Sequence, residues 1–186
     1  MNQQQRLKLL EYQQRAFNTG AIEYINKQWV FFDEETEEAV LLEDLIHQEI
    51  EVMRQNKWQK GYYLGEGTVQ DGSDIIQLED RETIKIKKQL VYSLERLLSE
   101  INGDTFVHFL TTLNSLNFSI YDCIYCYNHL TFQENADGIS GVNFIIFDNE
   151  EMICSVQHHF DYYEHGSDRF EFTLSSGKRT VIEKIL

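Results

Sequence analysis

The hydrophobic period of this chain changes three times, from helical spacing to strand-like alternation, to helical spacing again and back to alternation, and that order of periods restricts the folds open to it. Between Thr19 and Asp80 short apolar runs follow one another. "AIEYI" and "WVFF" flank Asn26-Lys27-Gln28, and "EEAVLLEDL" follows the acidic turn "DEET". "EIEVMR" and "WQKGYYLG" flank Asn56-Lys57, and Asp71-Gly72 is a hairpin signal ahead of "DIIQLED". Five or six short strands over roughly sixty residues predict a small, bent antiparallel barrel of the SH3-like kind. A helix from Gln3 to Phe17, with Leu7, Leu10 and Phe17 on one stripe, precedes it.

After Thr83 the spacing turns helical. Leu90, Leu94, Leu97, Leu98 and Ile101 form one apolar stripe, and Asp104 is placed to cap a second helix running through Leu116. Ser119 and Asp122 have capping-box spacing and predict a third helix carrying Cys123, Cys126 and His129. From Gly141 alternation returns in "GVNFIIFD", "EMICSVQHHFDYYE", "RFEFTLSS" and "RTVIEKIL", a four-stranded antiparallel meander. The expected class is therefore α+β: N-terminal helix and small barrel in residues 1–82, three helices and a sheet in 83–186. With no proline and no flexible tract to separate them, the two halves are expected to pack together.

Charge narrows the function classes. Sixteen basic against 31 acidic residues give a formal charge of −15, which repels phosphate backbones and anionic lipid, so neither nucleic acid nor membrane is an expected partner. From Leu97 to Asp168 there is no lysine or arginine, while eleven carboxylates and five of the six histidines fall there. Such a span attracts a basic protein surface or peptide over about 8 Å at physiological salt. "DEETEE", residues 33 to 38, adds a second acidic run that reads as a solvated hairpin turn. The polar N-terminal residues and the lack of any long apolar run point to the cytoplasm. Three cysteines are an odd number, which fits reduced thiols better than a disulfide framework.

Two segments carry residue types suited to chemistry. Cys123-x-x-Cys126 is a possible thiol pair, but a helix would carry His129 about 9 Å along its axis from Cys123, too far for one ion to bind all three. In "SVQHHFDYYEHGSDRF", alternation puts Met152, Cys154, Val156, His158, Phe160 and Tyr162 on one face, and Ser155, Gln157, His159 and Asp161 on the other. A three-residue loop at His165-Gly166-Ser167 matches the apolar face to Phe170, Phe172 and Leu174, and it brings Asp161 opposite Glu171 with His159 opposite Thr173. Two facing carboxylates repel. A divalent transition metal held by His159, Asp161 and Glu171 relieves that, as does Arg169 leaning across, a protonated His159, or plain water on a solvated face. His158, in the apolar row, reads as a core histidine with a satisfied ring nitrogen.

No complete catalytic set accompanies these features. The expected function is a non-enzymatic acidic cytoplasmic protein that binds a basic protein partner, in a regulatory, inhibitory or immunity-type role. The alternatives are a metal-dependent hydrolase using His159, Asp161 and Glu171, and a peptide-binding small barrel whose Trp29, Trp58, Tyr62 and Tyr63 take an extended ligand.

Overall fold

The computed structural model describes residues 1–130, 138–163 and 166–185. The chain divides into two compact units, Phe17–Lys88 and Met1–Ala16 with Gln89–Leu186. Among the described residues no helix is long and apolar enough to cross a membrane.

The first unit is one antiparallel sheet of eight strands: β1 (Phe17–Ile25), β2 (Gln28–Asp33), β3 (Ala39–Leu41), β4 (Glu49–Arg54), β5 (Lys57–Gly65), β6 (Thr68–Asp71), β7 (Asp74–Gln77) and β8 (Thr83–Lys87). Their spatial order is β3-β2-β1-β8-β4-β5-β6-β7. The expected SH3-like barrel is not formed, because the three-residue β3 and the four-residue β7 stand at opposite edges and the sheet stays open. Its decisive strand is β8, which pairs with β1 on one side and β4 on the other. "TIKIK" alternates as a strand should, and Ile84 and Ile86 are buried. The hairpins fall where turn chemistry puts them, with Asn26 and Lys27, and Gln55 and Asn56, all at positive φ. Ile22, Trp29, Phe31, Leu42, Ile50, Val52, Tyr63, Val69, Leu78, Ile84 and Ile86 make the core. Gly20 is required by close approach, since a Cβ there would lie 1.9 Å from the Phe32 carbonyl oxygen.

The second unit begins with α1 (Gln3–Glu11), capped by Asn2 and Gln5 in a reciprocal box. It continues with α2 (Tyr92–Glu100), α3 (Gly103–Ser115), a 3-10 turn at Ile120–Asp122 and a five-stranded sheet. The strands are β9 (Cys123–Tyr127), β10 (Ser140–Asp148), β11 (Ile153–Asp161), β12 (Ser167–Leu174) and β13 (Arg179–Ile185), in the order β13-β12-β11-β10-β9. Helix α1 belongs here because Leu10 enters this core and Arg6 donates to the carbonyls of Leu98 and Ile101 at the end of α2. Asn102, rather than Asp104, caps α3 by accepting from the Thr105 N–H at 2.8 Å. The capping box at Ser119 and Asp122 is present, but it opens a single 3-10 turn instead of a third helix. The β-branched and aromatic residues of "CIYCY" then pair with β10, which makes the sheet five-stranded rather than four.

Candidate functional site

The inner row of β11 carries Cys154, Val156, His158 and Phe160, all buried. Opposite them on β12 stand Leu174, Phe172, Phe170 and Asp168. Asp168 has the same parity as the phenylalanines, so alternation drives a carboxylate into the core, where it is 1% exposed. Three donors meet it. His158 Nε2 lies 2.7 Å and the Tyr162 hydroxyl 2.7 Å from Oδ1, and the Thr105 hydroxyl donates to Oδ2 at 3.1 Å.

The far side of the imidazole fixes its tautomer. Asn143 Oδ1 accepts from the His129 N–H at 2.6 Å, so its amide nitrogen faces His158 Nδ1 at 3.0 Å and donates to it. Nδ1 is therefore the acceptor and Nε2 carries the proton given to Asp168. The ring also stacks on Phe170 with centroids 4.1 Å apart. Both ring nitrogens are thus satisfied. Burial, together with the hydrogen bond it gives Asp168, pushes the Tyr162 hydroxyl far above the ordinary tyrosine range. The cavity touching Thr105, His108 and Asp168 measures only about 10 Å³, room for about one water and none for a substrate. This chain of hydrogen bonds holds α3, β10, β11 and β12 together.

The outer row does not assemble the expected metal set. Asp161 pairs with Ser167, His159 with Arg169, and Gln157 with Glu171. Asp161 and Glu171 share a face but stand four positions apart in register, about 13 Å along the strand. Arg169 occupies Glu171 instead, at 2.6 Å, while His159 Nε2 stops 3.8 Å from the same oxygen, beyond hydrogen-bond range. The predicted turn at His165-Gly166-Ser167 includes His165, which lies outside the described residues. Among the described residues no group of three or more His, Cys, Asp or Glu is placed to hold a metal ion.

Cys123, Cys126 and Cys154 are free thiols. Burial pushes Cys123 up to about 12 and Cys126 and Cys154 up to about 11, so each stays protonated and unreactive near neutrality. The acidic run behaves as a turn, with Asp33 Oδ1 accepting from the N–H groups of Glu35 and Thr36. Of the four aromatics assigned to the first unit, Trp29 and Tyr63 are core residues, Tyr62 is exposed, and Lys85 lies over the Trp58 ring at 4.1 Å.

What the outer face does present is apolar. Tyr127 pairs with Phe144 and Tyr125 with Ile146 across β9 and β10, and Tyr125, Tyr127 and Phe144 are exposed. Ile124, in the irregular step of β9, is 61% exposed, which is unusual for an isoleucine on an edge strand. Asp148, Glu150, Glu151 and Asp161 lie on β10, the turn that follows it and β11, with no lysine or arginine on those elements. Sequence reasoning missed this strip because it made Cys123–Tyr127 a helix; the missed signal was two aromatics and an isoleucine in five residues.

Fold and site together define an acidic α+β protein of two antiparallel sheets, whose buried polar chain is structural and whose last sheet keeps an apolar edge open. The chain belongs to the family described as "Protein of unknown function (DUF2777)", whose model matches residues 4–184. It is similar to "Uncharacterized protein YisN" of Bacillus subtilis (strain 168), with 32% identity over 179 residues covering 95% of this chain and 90% of that protein. No solved structure matches it.

Proposed function

We propose that this protein is a non-enzymatic cytoplasmic binding factor that engages a basic protein partner through the β9–β10 edge of its second sheet. A regulatory or inhibitory role follows, because the surface acts by occupying its partner. The observation that carries the reading is the exposed strip of Tyr125, Tyr127, Phe144 and Ile124 inside a span, Leu97 to Asp168, that contains no lysine or arginine. Aromatic side chains supply the desolvated centre of an interface, and carboxylates around them select a basic rim on the partner. Three further observations support it: the edge position of β9, the silence of the thiols, and the absence of room at the buried His158–Asp168 pair.

The test compares two baits, the native chain and Tyr127→Lys/Phe144→Lys, both checked for unchanged far-UV circular dichroism. A partner held by the native bait is expected to be lost by the variant, and to be released about tenfold or more between roughly 50 and 300 mM salt. Equal recovery by the two baits, or retention indifferent to salt, refutes the proposal.

A further inference from the structure

The Phe17–Lys88 unit contains a cleft of about 410 Å³ lined by Tyr24, Lys27, Trp29, Glu43, Glu66 and Gln77. A second hollow of about 460 Å³, walled by Ile46 and Leu64, adjoins it through the shared Glu43 and Glu66. Each is in the range of small-ligand sites.

The floor is built rather than incidental. Tyr63, with no exposure, accepts from the Gly67 N–H at 3.2 Å and donates to Glu43 Oε1 at 3.4 Å. Its ionisation is pushed upward by burial and by the neighbouring Glu43 carboxylate, so the hydroxyl remains a donor. Glu43 is thereby fixed on the short 3-10 turn Leu42–Leu45, yet its other oxygen, Oε2, is buried and has no hydrogen-bond partner among the described residues. Glu66 and Gly67 form a turn at positive φ, pinned by Gln77 Nε2 donating to both their carbonyls at 3.2 and 3.1 Å. Glycine at 67 lets the Trp29 ring lie against that turn, since a Cβ would come within 2.4 Å of Trp29 Nε1. Tyr24, half exposed, leans on Trp29 with centroids 5.1 Å apart.

Two carboxylates and an aromatic pair around one cleft are complementary to one ligand chemistry. We infer that this cleft binds an organic cation, an ammonium or guanidinium group, whose N–H donors pair with the Glu43 and Glu66 carboxylates while its charge rests against Tyr24 and Trp29. Guanidinium and ammonium groups give several N–H donors and are attracted to ring faces. Lys27, exposed at the rim, is the single cation in the lining and leaves two carboxylates to one ammonium. The cation is either a free small amine or the side chain of a basic peptide, and the same chemistry recognises both.

Trp58→Phe leaves Trp29 as the sole tryptophan, so its fluorescence in the full chain reports occupancy. Arginine amide and a glycine-serine heptapeptide with one central arginine are titrated, with N-acetylglutamine amide as the uncharged control. Saturable change is expected with both cationic probes and none with the control, weakened about tenfold or more by Glu43→Gln and strengthened a few-fold by Lys27→Gln. Glu66→Gln, on the exposed rim where folding is not at stake, is expected to weaken binding as well. A peptide binding at least tenfold tighter than arginine amide identifies a polypeptide source, and equal affinities identify a small free cation. No saturable change at roughly 10 mM probe, or affinity unmoved by both Glu43→Gln and Glu66→Gln, overturns the inference.

Discussion

Replacing His158 by phenylalanine tests the buried polar chain more sharply than removing the carboxylate it serves. In the native chain the Asp168 carboxylate is 1% exposed and is met by three donors. His158→Phe takes away the shorter of the two donors that are fully buried and leaves the carboxylate one hydrogen bond short, a situation that costs about 2–4 kcal/mol. Asp168→Ala removes the ion itself. His158 Nε2–H then loses its acceptor at a site without exposure, for about 1–3 kcal/mol. The Thr105 hydroxyl loses its acceptor too, while Tyr162 is only partly buried and reaches water. With about 1 kcal/mol for the vacated space, Asp168→Ala is expected to cost about 2–4 kcal/mol. The double variant leaves neither an uncompensated ion nor an orphaned imidazole. It should therefore be more stable than the sum of the single losses by at least about 2 kcal/mol, and close to Asp168→Ala alone. Urea unfolding followed by far-UV circular dichroism, with unchanged slope as the check on comparability, measures all four chains. Additivity within about 0.5 kcal/mol would show that His158 and Asp168 do not depend on each other, and the reasoning fails.

Four other outcomes follow from the structure. Cys123, raised from 9.0 to about 12, is expected to react with iodoacetamide at pH 8 about 1,000-fold more slowly in the folded chain than in urea. Because the folded values of all three thiols lie above the unfolded one, the stability gained by keeping them neutral is complete below about pH 9 and is lost as pH rises through 11 and 12, which alkaline melting curves will follow. Gly20→Ala should destabilise by about 1–3 kcal/mol in thermal or urea unfolding, since its Cβ meets the Phe32 carbonyl and the Phe31 ring; a neutral result would mean that β1 and β2 separate freely. Glu171→Ala frees Arg169 on a water-exposed face and should cost under about 1 kcal/mol, with added zinc or manganese leaving the native melting temperature unmoved; a metal-dependent rise in that temperature would restore a metal role for Glu171.

Face assignment was legible in the sequence because it depends only on local alternation. Cys154, Val156, His158 and Phe160 are inward, and His159 and Asp161 outward, as parity alone requires. The turns at Asn26-Lys27 and Asp71-Gly72 and the stripe of Leu94, Leu97 and Leu98 in α2 are local in the same sense. The span without basic residues is also a property of the chain alone.

Register is different. Any even shift of β12 along β11 keeps the apolar rows matched, so alternation could not choose between Asp161 facing Glu171 and Asp161 facing Ser167. The fold chose the register that seats Asp168 beneath Tyr162 and His158 against Phe170, because only there does the buried carboxylate find its donors. The same limit hid "TIKIK", whose place between β1 and β4 depends on partners far away in the chain, and "CIYCY", where pairing with β10 overrode the helix that a capping box had seemed to start. Side-chain period is written residue by residue; which strand lies beside which, and at what offset, is settled by the burial and hydrogen bonding that distant segments supply to one another.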